Sequence, residues 1–310
     1  MLQFILKASF SRVKLLSLLT AGLSLLLLIF DSEKIAILYF VFHVFTLGIA
    51  HGSLDRWMFN LINPSKSISS SVFYLSYIAV MTIIALFWWL SPFWALLFFV
   101  TYSAWHFGEV EWIHIFNSKS SFQRIYAFIW GAFLFATMFY FNLEETYALV
   151  SKLIKIDIEP INFTEFTGFI LLSSWFLYSN LPSIFKWISL KNTLTQLLNI
   201  FSLGLIFYRF DLTISFAVFF FYFHSLPSLV FELRSIGNSD IKPSSYTGLI
   251  KEMMVLSIAP ILLGVLITIF GSKSMIELLI PILVVIGSAI SFPHTFIYSM
   301  ATKRKQIQKS

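Results

Sequence analysis

Polar residues along this chain appear mainly as short interruptions between long apolar runs. The run VKLLSLLTAGLSLLLLIF at 13–30 approaches the ~20 residues a helix needs to cross a hydrocarbon core of ~30 Å. Barrel strands would be half as long and alternating. Breaking the pattern at polar clusters, Pro and Gly gives ten candidate spans: 13–30, 35–54, 72–90, 93–116, 123–142, 164–180, 193–208, 212–233, 250–270 and 276–300. The span at 193–208 is short and polar at its start. The expected fold class is therefore all-α, a polytopic transmembrane helical bundle of about eight to ten helices. With no internal repeat, low-complexity linker or soluble segment, 1–310 reads as a single integral membrane domain.

Alternate loops differ in charge. With the N-terminus inside, sixteen of the 21 Lys and Arg fall on the cytoplasmic side, the bias expected of cytoplasmic loops. This predicts a multi-pass protein of the cell (plasma) membrane with both termini cytoplasmic. Residues 143–163, with Glu144, Glu145, Asp157 and Glu159, then form the longest extramembrane loop, on the outer face. Composition agrees with the span pattern: 58% hydrophobic, 19% aromatic and 12% charged, against charge near a quarter in soluble domains. The net charge of +6 is scattered between spans, which points to anionic headgroups of the lipid bilayer and away from nucleic acid. Without cysteine, disulfides and thiolate ligation are excluded, so any metal must be held by nitrogen and oxygen.

Four apolar segments carry a histidine: AHGSLD (His51), YSAWHFGEVEW (His106), FHSLPS (His224) and FPHTF (His294). In the ten-span topology they lie on the second, fourth, eighth and tenth spans, all running from outside to inside. Each is one to three turns from the cytoplasmic end at ~1.5 Å per residue, so the four imidazoles are expected to converge in the inner half of the membrane. Backbone breakers accompany them: Gly52, Gly108, Pro227 and Pro293. Pro227 frees the carbonyl of Phe223 and Pro293 that of Ala289, which membrane helices tolerate where protein or water satisfies the freed group.

A single buried histidine is ordinarily a hydrogen-bonded contact between helices. Four at one level point to a metal or cofactor site, because ionisable groups inside a membrane are costly. His43 and His114 each lie eight residues, ~12 Å, from a histidine of their own span and are expected to be structural or peripheral. Glu109 shares a helix face with His106, whereas Glu111 points elsewhere. Glu109, and Asp55 four residues after His51, are candidates to orient a ligating imidazole. The plainer expectation for Asp55, Arg56, Glu109 and Glu111 is ion pairing near the surface. Imidazoles without thiolate suit iron, copper or zinc. No HExxH is present, as a zinc hydrolase would be expected to show. Non-haem iron and bis-histidine haem remain.

The segments AHGSLDRW, SAWHFGEVEW, FYFHSLPSL and SFPHTF, in that order across nearly the whole chain, resemble the membrane-bound Brp/Blh family of β-carotene 15,15′-dioxygenases. HGxxD and HFGE are the more specific of the four. The resemblance implies an Fe(2+) enzyme that uses O2 to split the central double bond of β-carotene into two molecules of retinal, with a rhodopsin as downstream user. It also implies His51, His106 and His224 as iron ligands, with His294 a further candidate. One position departs from the family pattern: where a second histidine is expected four residues after His224, this chain has Ser228. The site is then completed by His294 or by water, or the metal and the activity are lost or altered. Two other readings stay open: an oxygenase acting on another apolar polyene, and a histidine-rich membrane protein that binds haem or transports ions.

Overall fold

The structure, a computed structural model, describes residues 10–25, 33–48, 52–63, 69–116, 120–158, 165–237, 258 and 261–307. His51 and much of the predicted 250–270 span lie outside the described residues. The described regular elements are all helical: α1 (Phe10–Leu25), α2 (Glu33–His43), α3 (Asp55–Ile62), α4 (Ser70–Leu90), α5 (Pro92–Trp112), α6 (Ser121–Phe141), α7 (Leu143–Ile154), α8 (Glu165–Ile184), α9 (Leu190–Arg209), α10 (Leu212–Val218), α11 (Leu226–Gly237), α12 (Ile261–Phe270) and α13 (Lys273–Ile307). Among them, Ser70–Leu90, Ser121–Phe141, Leu212–Gly237 and Leu278–Lys303 are long and apolar enough to cross a membrane. Large apolar side chains such as Leu75, Trp89 and Leu90 are exposed, as suits surfaces solvated by lipid.

The helix ends follow from local chemistry. Ser69, Ser189 and Asp211 cap α4, α9 and α10 by accepting from Val72, Asn192 and Ile214 N–H, and Ser120 with Gln123 forms a capping box on α6. These side chains satisfy amide groups that a helix leaves unpaired at its start. One expectation is corrected. The predicted loop at 143–163 holds a helix, α7, over Leu143–Ile154. Glu144 and Glu145 lie in its first turn, where the helix dipole favours acids, and Leu153 and Ile154 are buried at its end. The charges that suggested a loop are a helix start.

Two compact units divide the chain: Met1–Phe40 with Ser103–Pro227, and Val41–Tyr102 with Ser228–Ser310. In the first, α1 packs on α9 and on the 219–225 segment, and α6 packs on α8, α9 and α10. There α5 and α6 approach at two matched small-residue steps, Ala104/Gly108 and Ala127/Gly131. A Cβ on Gly108 would strike the Ala127 carbonyl, and one on Gly131 the Ala104 carbonyl. Small residues four apart let backbones come this close. His106 lies two residues from each of Ala104 and Gly108, about 200° round the helix, so it faces away from α6.

In the second unit α13 packs on α4 and α3. Trp88 Nε1 donates to Ser288 Oγ at 2.6 Å. The Tyr102 hydroxyl donates to the Ser288 carbonyl at 2.6 Å, and that of Tyr77 to the Ile290 carbonyl at 3.1 Å. Both carbonyls neighbour that of Ala289, which Pro293 deprives of its helical partner, so tyrosine hydroxyls line the backbone where the continuous helix lacks one hydrogen bond.

Candidate metal centre

The main chain departs from α-helical geometry beside two of the histidine segments. Val44–Gly48 continues α2 as a π-helical turn, and Phe219–Ser225, which contains His224, is a second one between α10 and α11. Pro227 has no N–H to donate. The preceding Leu226 N–H reaches back five residues to the Phe221 carbonyl, widening the helix. Such π-turns recur at functional sites because they re-aim a side chain.

In the first unit the structure brings His106 and His224 together. Both are buried, and their ring centres are 4.9 Å apart at an interplanar angle of 73°. Phe107 meets the His224 ring edge-on at 4.5 Å, and Phe220 stacks on it at 5.5 Å. Imidazoles that share one ion, each with its nitrogen ~2.1 Å from it, have ring centres roughly 5 Å apart when the ligands sit near a right angle. The pair fits that arrangement. A haem iron takes its two axial histidines on opposite faces, which on the same bond lengths separates the centres by roughly 6 Å. Glu109 is buried one turn after His106.

Glu111 is not at the surface. It is 2% exposed and forms an ion pair with Lys14 of α1, itself 3% exposed. Lys14 Nζ also donates to Gln196 Oε1 at 3.1 Å, and Gln196 Nε2 donates to the Glu111 carbonyl at 3.1 Å. The expectation of ordinary surface pairing is corrected here. The rest of α5 and the facing helices enclose the charges, and Gln196 supplies the polar contacts that water would.

In the second unit Asp55 and His294 meet. Asp55 Oδ1 lies 2.6 Å from His294 Nδ1, and its Oδ2 accepts from the Tyr77 hydroxyl at 2.9 Å. A carboxylate on one ring nitrogen fixes the tautomer and turns the other nitrogen outward, as it does for metal-binding histidines. Fully buried Glu232 lies on α11, within electrostatic reach of both Asp55 and His294. Sequence reasoning missed Glu232, Tyr77 and the Lys14–Gln196 contact. An acid eight residues after His224 in an apolar run was the available signal for the first. Of the two remaining histidines, His43 is buried with its ring against Phe42 at 5.4 Å, and His114 lies in the turn after α5. Among the described residues no group of three or more His, Asp and Glu is close enough to hold an ion.

Fold and side-chain clusters together define a class: a polytopic helical membrane protein with buried imidazoles and carboxylates, the donor types used in oxygen-activating metal enzymes. Residues 42–301 match the family model described as Beta-carotene 15,15'-dioxygenase, which covers most of the chain. The chain belongs to that family, whose members are carotenoid-cleaving oxidoreductases, and it is an enzyme. No curated protein and no solved structure matches it.

Proposed function

We propose that this chain is a membrane-embedded non-haem iron dioxygenase that cleaves the central double bond of β-carotene, consuming one O2 and releasing two molecules of retinal. The observation that carries the iron reading is the 4.9 Å spacing of the His106 and His224 rings, too close for opposite faces of a haem and suited to neighbouring positions on a bare ion. His106 and His224 would hold Fe(2+), with His51 and His294 as the further ligands. Asp55 orients His294, and Glu109 is proposed to do the same within its own unit. Ferrous iron would supply the one-electron chemistry with O2 that no amino-acid side chain offers.

The protein's own part is binding, orientation and exclusion of water. A carotenoid dissolves only in the bilayer, and a site among apolar helices receives it without passage through water. Phe107, Phe219 and Phe220 surround the His224 ring and offer flat apolar surfaces against which a polyene can lie. The same aromatic enclosure keeps bulk water from the ligand pair. The proposed setting is the plasma membrane with both termini cytoplasmic, and retinal would pass to a rhodopsin.

The test is expression in cells that accumulate β-carotene. Bleaching of the pigment with formation of retinal supports the reading. Retained pigment and no retinal, with the protein present in the membrane, contradicts it. Apocarotenals of unequal length would keep the oxygenase and move the bond.

A further inference from the structure

The iron reading leaves the buried Lys14–Glu111 pair of the first unit without a task. Lys14 belongs to the face of α1 formed by Val13, Lys14, Ser17 and Ala21, all buried, while Leu15, Leu16 and Leu19 are exposed. That helix packs on α9 and on the 219–225 segment that carries His224. Glu111 follows His106 by five residues on α5, ~7.5 Å along the axis and roughly 140° round it. The pair therefore stands beside the His106–His224 site and not in it.

Lys14 Nζ is ion-paired with Glu111 Oε2 and donates to Gln196 Oε1 at 3.1 Å. Glu111 Oε1 and Asn199 Nδ2 are buried and have no hydrogen-bond partner among the described residues. Asn199 is three residues after Gln196, on the same face of α9. Replacing a buried ion pair by apolar side chains of similar volume is often neutral or stabilising, so packing alone gives little reason to keep one. Ionisable groups inside a membrane ordinarily mark a functional site. The groups present are a primary amine, a carboxylate with one open oxygen and an amide N–H donor. An aldehyde matches them, with an electrophilic carbon for the amine and an oxygen that accepts from the amide.

We propose that Lys14 captures the aldehyde product as a Schiff base, with Glu111 first carrying protons and then serving as the counterion. The inference rests on the function proposed above: splitting the central bond leaves each new aldehyde carbon beside His106 and His224, and retinal meets Lys14 as it leaves. Lys14 gives a proton to Glu111, and its freed electron pair forms a bond to the aldehyde carbon. The carbonyl π pair moves to the oxygen, which takes the proton back from Glu111. The nitrogen then gives one of its two protons to Glu111. That proton leaves with the hydroxyl as water while the nitrogen pair closes the C=N bond. A protonated imine remains beside the Glu111 carboxylate, with no net oxidation or reduction.

The test is to incubate the detergent-purified full-length protein with all-trans-retinal, record the absorption spectrum, reduce with cyanoborohydride and map the adduct by peptide mass spectrometry. One retinyl group per chain on Lys14, with a band red-shifted from that of free retinal, is the expected result. Lys14→Arg keeps the positive charge but cannot condense, because a guanidinium stays protonated, and is expected to lose both the label and the band. Lys14→Met with Glu111→Leu removes both charges and is expected to show the same loss, which keeps the test valid if the arginine variant misfolds. Glu111→Gln is expected to leave the imine unprotonated, with its band moved back toward that of free retinal. Label on exposed lysines such as Lys152 and Lys191 but not on Lys14, or an unchanged band in Lys14→Arg, would overturn the proposal. Cleavage of β-carotene in cells by a protein that forms no Lys14 adduct would overturn this proposal and leave the dioxygenase reading standing. A Lys14 adduct in a protein that cleaves no carotenoid would overturn that reading and leave the aldehyde site standing.

Discussion

Asp55 and His294 are 239 residues apart in sequence, yet their side chains meet at 2.6 Å with both groups buried. The pairing fixes which imidazole nitrogen faces the carboxylate and leaves the other for a further role. Tyr77 donates to the second oxygen of Asp55, so the carboxylate is held from two sides.

Asp55→Asn keeps the size of the side chain and removes its charge. The His294 ring loses the acceptor that sets its tautomer, and metal affinity is expected to fall ~10–100-fold. Metal titration of the purified variant checks this. Tyr77→Phe, which removes one hydrogen bond to Asp55, is expected to have a smaller effect in the same direction.

Lys14 and Glu111 form a buried pair supported by Gln196. Lys14→Met leaves a buried carboxylate without its cation and is expected to destabilise the protein by about 3–5 kcal/mol. Lys14→Met combined with Glu111→Leu removes both charges, and recovery of most of that loss is the expected result. Thermal denaturation in detergent of the single and double variants measures the coupling. Additive losses would show that the two side chains act independently.

The close approach of α5 to α6 depends on Gly108 and Gly131, whose Cβ atoms would strike the Ala127 and Ala104 carbonyls. Backbone cannot yield as a flexible side chain does. Gly131→Ala is expected to cost about 1–3 kcal/mol and, because Ala104 is two residues from His106, to lower metal affinity as well. Gly22→Ala, inside α1 at a position where an added Cβ meets nothing within 4 Å, is the control and is expected to raise stability by about 0.5–1 kcal/mol through helix propensity while leaving metal affinity unchanged.

Glu145 lies on α7, outside the four long apolar helices, and accepts from the Leu212 N–H at 2.6 Å. Burial pushes its carboxyl above the usual carboxylate range, outweighing the hydrogen bond that acts in the opposite sense. The folded protein therefore holds this proton to higher pH than the unfolded chain does. Stability is expected to fall as pH rises from the ordinary carboxylate value through the raised one. Glu145→Gln is expected to flatten that part of the profile of Tm against pH. An unchanged slope would assign it to another group.

Much of the helical layout was legible in the sequence because apolar runs, prolines and capping serines mark helix bodies and ends. The predicted 93–116 and 123–142 correspond closely to Pro92–Trp112 and Ser121–Phe141. Less visible was α7, since Glu144 and Glu145 look like loop residues until their place in a first helical turn is known. The π-turns were not legible either. In the second of them the Leu226 N–H, just before Pro227, bonds the Phe221 carbonyl five residues back, while the apolar periodicity of FFFYFHS is the same for either helix type. At the candidate site, the histidines and Asp55 stood out as ionisable residues in apolar runs. What sequence could not supply was pairing: that His106 meets His224, that Asp55 meets His294, and that Ser228 donates to Glu232. Those contacts join residues far apart in the chain or depend on side-chain direction, and spacing alone specifies neither.

The most direct measurement is the iron content and absorption spectrum of the purified wild-type protein beside His106→Ala and His224→Ala. One iron per chain without a Soret band, falling to near zero in both variants, is the predicted result. Full iron content in both variants, or a Soret band in the wild type, would contradict a non-haem centre held by these two histidines.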